Sequence, residues 1–148
     1  MEQPFHHLVR GIFIKDNKVL LSKAKGYHNT FLPGGHIEFG ESAKDALARE
    51  VEEEMGITCT VGEFLGVVEH KWEEHGILNC EINQLFLVET LEHEPRSQES
   101  HLEFFWCHEN DLDASQLEPS PLVSLIKNYM KGDRAIWWAS TLNDESRI

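Results

Sequence analysis

Three features of the sequence predict a mixed α/β (α+β) sandwich. Short β-branched and aromatic runs are separated by turn residues, one strongly capped helix interrupts them, and a second helical pattern follows late in the chain. Residues 8–14 (Leu-Val-Arg-Gly-Ile-Phe-Ile) and 18–22 (Lys-Val-Leu-Leu-Ser) read as strands, and the polar Lys15-Asp16-Asn17 between them reads as the turn of a hairpin. Phe31-Leu32-Pro33-Gly34-Gly35 ends an extended piece in a loop, because proline and paired glycine punctuate strongly. Ser42-Ala43-Lys44-Asp45 matches the capping-box pattern, good helix formers run to Met55, and Gly56 stands where a helix ends.

Residues 57–69 and 78–89 read as two further strands, joined by a polar segment containing Trp72-Glu73-Glu74-His75-Gly76, and residues 101–107 as another. After Glu118-Pro119-Ser120-Pro121, the spacing of Leu122, Leu125, Ile126 and Tyr129 predicts a helix over about 121–131. The tail from 132 to 148 carries Trp137-Trp138, which packs either on its own domain or on a second copy in a homodimer; the residues weigh the two equally.

With 148 residues the chain suits one domain spanning 1–148, and its 41% apolar content argues against disorder. A formal charge of −13 repels phosphate backbones and anionic lipid, so general nucleic-acid or membrane-surface binding is disfavoured. Any phosphorylated ligand then needs local help from a metal ion or from backbone N–H groups. No apolar run approaches the length of a spanning helix, and the first residues lack the basic and apolar regions of a signal peptide. Cys59, Cys80 and Cys107 are odd in number and far apart, which fits a reducing compartment. A cytoplasmic protein is expected.

Residues 35–57 hold seven acids against Lys44 and Arg49. A charge run of this kind is usually a solvated helix face. At about 100° per residue from Ala43, however, Glu50 falls near 340° and Glu54 near 20°, inside the sector bounded by Ala46 near 300° and Val51 near 80°. Glu53 lies at the edge of that sector near 280°, and Glu52 near 180° points to solvent. Two carboxylates thus project toward the side to be buried, which is costly unless they meet a cation. Glu50, Glu53 and Glu54 are neighbours at i, i+3 and i+4, an oxygen-rich cluster suited to Mg²⁺ or Mn²⁺. Arg49 can pair with Glu53 or reach back to Glu41, and either contact would hold the ligands in place. Gly34 and Gly35 permit positive φ and close backbone approach.

The stretch Gly35-x5-Glu41-x7-Arg49-Glu50-Val51-x-Glu53-Glu54-x-Gly56-Ile57 resembles the signature of the Nudix (MutT-type) hydrolases. Phe31-Leu32-Pro33-Gly34-Gly35 is similar to that family's approach to the signature, with Phe31 where tryptophan is usual. The motif resemblance covers 31–57, and the strand order extends it loosely to about residue 130. It implies an α/β/α sandwich with a mixed sheet and a loop–helix–loop motif. It also implies metal-dependent hydrolysis of a pyrophosphate bond in a nucleoside diphosphate linked to another moiety, with a nucleoside triphosphate as the default. Glu50, Glu53 and Glu54 are the implied metal ligands, the Gly34 carbonyl is a further one, and Arg49 and Glu41 orient the cluster.

Glu50, Glu53 or a downstream glutamate can serve as general base; Glu99, in a polar loop, ranks ahead of Glu103, which alternates with Leu102 and Phe104. For the substrate, Gly35, Glu41, Phe31 and Tyr27 are the candidate contacts, with His28, Phe39 and Trp72 as other nearby aromatics. Lys23, Lys25 and Arg10 can meet phosphates, although each reads equally as an ordinary surface base. Nine scattered histidines do not make a zinc site. The proline and tyrosine that mark ADP-ribose and diadenosine-polyphosphate types are absent from the region of Lys71-Trp72-Glu73, the next proline being Pro95. The alternative is a catalytically silent nucleotide-binding module of the same type, against which the intact Glu50, Glu53 and Glu54 argue.

Overall fold

A computed structural model describes residues 3–144. Strand β1 (Phe5–Ile12) is followed by a short β2 (Ile14–Lys15), β3 (Lys18–Ala24) and β4 (Gly34–His36). Helix α1 (Ala43–Met55) leads into the long strands β5 (Cys59–Glu74) and β6 (Ile77–Leu91). Next come β7 (Leu102–His108), a 3₁₀ helix over Glu109–Ala114, α2 (Pro121–Met130) and β8 (Trp137–Ser140). Five strands form a mixed sheet in the order β4-β1-β6-β5-β8, and β2-β3-β7 form a smaller antiparallel one.

The two sheets make the middle layer. On one side α1 buries Ala46, Leu47, Val51 and Met55 against Val9, Phe13, Leu20, Phe86 and Val88. On the other, Leu122 and Ile126 of α2 pack with Ile12, Leu21, Val68, Leu85 and Leu112. Alternation along the strands divides these faces, since Leu20 joins the first cluster while Val19 and Leu21 join the second.

The expected first hairpin forms only at its tip. Asp16 (φ 52°) and Asn17 (φ 60°) are both left-handed, as a two-residue hairpin turn requires, and Ile14 and Lys15 pair with Val19 and Lys18. Below the tip the chain changes sheets: Phe13 is driven into the core under α1, and β1 runs parallel to β6 instead of pairing with β3. The segment read as a polar connection around residue 72 is also strand. His75 (φ 52°) and Gly76 (φ 77°) make the turn, and the hairpin runs unbroken from Val67↔Gln84 to Glu74↔Ile77. Trp72 is half-buried and donates to Glu81, whereas Glu73, Glu74 and His75 at the tip are exposed. The helices fall where expected, whereas the 3₁₀ turn was not anticipated.

In the tail, β8 adds in parallel to β5, with Gly66 opposite Trp137. Trp137 is buried, edge-on to Tyr129 at 6.3 Å between ring centroids, so it packs on its own domain; Trp138 stays exposed. Thr141, fully buried, hydrogen-bonds His70 Nδ1 at 2.8 Å and accepts from the Lys71 N–H at 3.0 Å, pinning the end of the tail. Gly66 has φ +147°, and a Cβ there would run into the Trp137 backbone. Gly66→Ala is therefore expected to lose roughly 2 kcal/mol or more of stability, read as a lower urea midpoint at unchanged slope. Hydrogen exchange should speed up in β8 before the rest of the sheet.

Candidate active site

Helix α1 begins where its side chains dictate. Ser42 is extended (φ −74°, ψ 154°) and its hydroxyl accepts from the Asp45 N–H at 3.1 Å, while Gly56 (φ 67°) closes the helix through a bond to the Glu52 carbonyl at 2.9 Å. The wheel holds: Glu50 keeps only 17% of its side chain exposed and Glu54 is half-buried, while Glu52 is exposed and Glu53 retains 56%.

Arg49 gathers this acidic face. Nε and Nη2 grip the two Glu41 oxygens at 2.8 and 2.9 Å. Nη1 donates to Glu50 at 3.1 Å and to Glu53 at 3.2 Å, and the second Nη2 hydrogen goes to the His36 carbonyl at 3.1 Å. All five N–H donors of the guanidinium are thereby used. Glu41 also accepts from the Glu38 N–H at 3.1 Å. The Arg49 hydrogen bonds, then that backbone N–H, hold the Glu41 carboxyl down at about 2.

The paired glycines have different reasons. Gly34 has φ +145° and lies against the Val9 and Arg10 backbone, a conformation and a closeness open to glycine. Gly35 has no positive φ, contrary to expectation; a Cβ there would fall 2.5 Å from the Glu50 carboxyl carbon, so the carboxylate would have to move off its present place.

Glu54 is the electrostatic focus. Burial, then the neighbouring charge of Glu50, push its carboxyl up to about 7, with Arg10 and the Gly34 N–H opposing and Glu99 adding to the rise. Its Oε1 is sealed from solvent with no hydrogen-bond partner. Glu50 is raised too, by burial first and by Glu53, against the pull of Arg49 and Arg10.

Glu99 joins this group from far along the chain. Its loop docks on the end of α1, where the Arg96 and Gln98 N–H groups donate to the Met55 and Glu54 carbonyls at 3.3 and 2.8 Å. The loop thus caps the helix and brings Glu99 into the field of Glu54, with His101 Nε2 at 3.2 Å from its carboxylate. Glu103 instead stands exposed on β7 opposite Lys23. Tyr27 and His28 lie exposed in the loop after β3, and Phe39 projects fully into solvent. Phe31 is half-buried and bonded to β3 through Ser22, next to Leu32.

Arg10 is not the surface base that its position suggested. It is half-buried, donates from Nη1 to the Leu32 carbonyl at 3.0 Å, and lies in the field of Glu81, Glu54 and Glu50. Beside it runs a row of polar groups not anticipated as a site. Glu81 accepts from Trp72 Nε1 at 2.8 Å and from Asn83 Nδ2 at 2.7 Å. His6 stacks on Trp72 at 5.8 Å and bonds His36 and Asn79 at 3.0 and 2.9 Å. The available signal was the every-second-residue series Asn79, Glu81, Asn83 alternating with Cys80 and Ile82, which places all three on one face.

Known proteins resemble this chain in sequence and in fold. A family model, the NUDIX domain, matches residues 5–127. An ADP-ribose pyrophosphatase of Methanocaldococcus jannaschii is 47% identical over 64 residues, 40% of this chain and 37% of that protein. A CTP pyrophosphohydrolase of Escherichia coli is 37% identical over 73 residues, 47% of this chain and 53% of that protein. The chain thus matches about a third to a half of the length of these two relatives. The crystal structure of the mutator MutT protein from Bacillus halodurans superposes with a TM-score of 0.74 at 20% identity, over 91% of this chain and 88% of that one, and shares the fold. The family match runs from the first strand into the last helix, taking in both the acidic helix and the sheets that carry it, and on that extent the chain belongs to the Nudix family.

Proposed function

We propose that the chain hydrolyses a phosphoanhydride bond in a nucleoside diphosphate linked to a further group, using Mg²⁺ or Mn²⁺. The observation that carries this reading is Glu54 Oε1, a buried carboxylate oxygen without a partner beside the charges of Glu50 and Glu99. An arrangement of that kind is destabilising by itself and is relieved by a hard cation. The donors fit one: they are carboxylate oxygens on one helix face, with a glycine backbone close by. Among the described residues no three acidic, imidazole or thiol groups converge into a ready-made ligand set, because Glu50 and Glu53 lean on Arg49. Glu50, Glu53 and Glu54 would hold the ion, with the Gly34 carbonyl as a further donor. When bound it neutralises charge on the diphosphate and acidifies water.

The remaining work falls to the chain. Arg49 and Glu41 keep the carboxylates in place, and Gly35 lets Glu50 approach the backbone. Glu99 accepts the proton of the attacking water, whose oxygen bonds to phosphorus as the bridging P–O bond breaks and the leaving phosphate departs with the bridging oxygen. Phe31, adjacent to the Leu32 carbonyl that anchors Arg10, and the exposed Tyr27 contact the group beyond the diphosphate. The named relatives act on ADP-ribose and CTP, which share a nucleoside diphosphate, and both names speak for turnover over silent binding.

A panel of nucleoside triphosphates, nucleotide sugars and ADP-ribose with Mg²⁺ tests the reading by phosphate or pyrophosphate release. Glu53→Gln is expected to fold normally and to lower kcat by roughly two orders of magnitude or more; near-native turnover would remove Glu53 from the site. Glu99→Gln is expected to lose about 10²- to 10³-fold in kcat with little change in KM, while Glu103→Gln keeps its rate.

Metal uptake should depend on pH with a definite sign. Glu54 is raised in the folded state, so its contribution to stability is complete below about 4.5 and is lost as pH rises through about 7. In chelator-treated protein this amounts to roughly 3 kcal/mol at most. Mg²⁺ should therefore raise Tm more at pH 8 than at pH 6, because the carboxyl must lose its proton to bind. Glu54→Gln should abolish the difference, and an equal Mg²⁺ effect at both pH values would contradict the assignment.

A further inference from the structure

The site holds two arginines in opposite conditions. Arg49 spends all five N–H donors on Glu41, Glu50, Glu53 and the His36 carbonyl and has none left for a substrate. Arg10 spends one: among the described residues its hydrogen bond is the one from Nη1 to the Leu32 carbonyl, and no carboxylate comes within ion-pair distance. Its Nε and Nη2 carry no hydrogen bond and keep some contact with solvent, although burial is the largest electrostatic influence on the group. Yet it stands in the field of Glu81, Glu54 and Glu50. β1 fixes its position, since Arg10 is paired with Gly34 on β4 and with Leu85 on β6.

We propose that Arg10 is the residue that grips the substrate's diphosphate, its free guanidinium edge donating to non-bridging phosphate oxygens beside the carboxylate cluster. The inference rests on the hydrolase reading above and adds to it the group that binds the anhydride. A phosphate entering here meets Glu50, Glu53, Glu54, Glu81 and Glu99, and cations on the carboxylates offset only part of that field. A planar fork with free donors matches a phosphate face bidentately, which a lysine ammonium does not. The Leu32 bond holds the fork in place before the ligand arrives. Lys23 and Lys25 do not compete for the role: Lys23 stands opposite Glu103 on β3, and Lys25 is exposed beyond the end of that strand.

Binding of imidodiphosphate, a diphosphate that is not hydrolysed, tests this by calorimetry in Mg²⁺ with wild type, Arg10→Gln and Arg10→Lys. Arg10→Gln is expected to weaken imidodiphosphate about 10- to 100-fold, with Arg10→Lys intermediate. Mg²⁺ alone should bind the Arg10→Gln protein as tightly as wild type or several-fold more tightly, because a cation has been removed from beside its ligands. A merely structural Arg10 would move both affinities the same way, together with Tm, and that result overturns the proposal. So does unchanged imidodiphosphate affinity in either variant, and Arg10→Lys decides the matter should Arg10→Gln fail to fold. If Glu53→Gln abolishes hydrolysis while Arg10→Gln binds imidodiphosphate normally, the Arg10 role fails and the hydrolase stands. If wild type releases no phosphate from the panel and binds no Mg²⁺, the hydrolase reading itself fails.

Discussion

One guanidinium, that of Arg49, makes the rest of the site possible. Three acidic side chains, Glu41 from the loop before the helix and Glu50 and Glu53 from the helix itself, would repel one another without a compensating contact. Arg49 binds Glu41 through both oxygens and still reaches Glu50 and Glu53 at 3.1 and 3.2 Å. Through the His36 carbonyl it also ties α1 to β4, so the helix is registered against the strand that carries Gly34 and Gly35. Lysine could neutralise the charge but could not span these partners at once, because its donors radiate from a single nitrogen. Glu41 completes the clamp from the loop before the helix, its charge secured well below neutral pH.

That clamp works against the helix's own preferences. Glu52, Glu53 and Glu54 occupy the last turn of α1, where the dipole is negative and a basic residue would be favourable, and the last turn contains none. Most of the stability of α1 must then come from the apolar stripe of Ala46, Leu47, Val51 and Met55 and from its caps. The loop bearing Glu99 adds to this by donating two N–H groups to the carbonyls of Glu54 and Met55. Helix capping and placement of the proposed base are thus one structural act: weakening the dock would fray the helix end and withdraw Glu99 together.

The acidic helix was legible in the sequence because a period of 3.6 turns a list of glutamates into directions, and the buried direction of Glu50 and Glu54 conflicts with their charge. The Ser42 and Gly56 boundaries follow from chemistry local to each residue. What escaped was non-local. Nothing in the sequence near Arg10 says that Glu81 and Glu54 will approach it, since the first arrives through a parallel pairing of β1 with β6 and the second through the docking of α1. The polar stretch around Trp72 looked like a loop because polarity normally marks solvent, whereas here Trp72 and Asn83 donate to Glu81, and His6 bonds Asn79, on a sheet face. Gly35 was read as conformational freedom when its requirement is space for Glu50.

The charge of the whole chain gives these local facts their meaning. At −13 the protein opposes the entry of any phosphorylated ligand, and no spread of surface lysine relieves that. A site for such a ligand needs local cations, and Arg10 and Arg49 stand beside the carboxylates. The geometry divides that task by availability of donors. An arginine saturated with carboxylates organises the acidic face and is spent in doing so, while an arginine held by a single carbonyl remains free beside it. On the proposed function, a diphosphate would be distinguished from other anions by position, meeting the Arg10 guanidinium beside the carboxylates that would hold the ion. The sheet that fixes Arg10 and the helix that fixes the glutamates are packed through the Val9, Val51 and Phe86 core, so the separation between them is set by buried hydrocarbon and not by mobile surface groups.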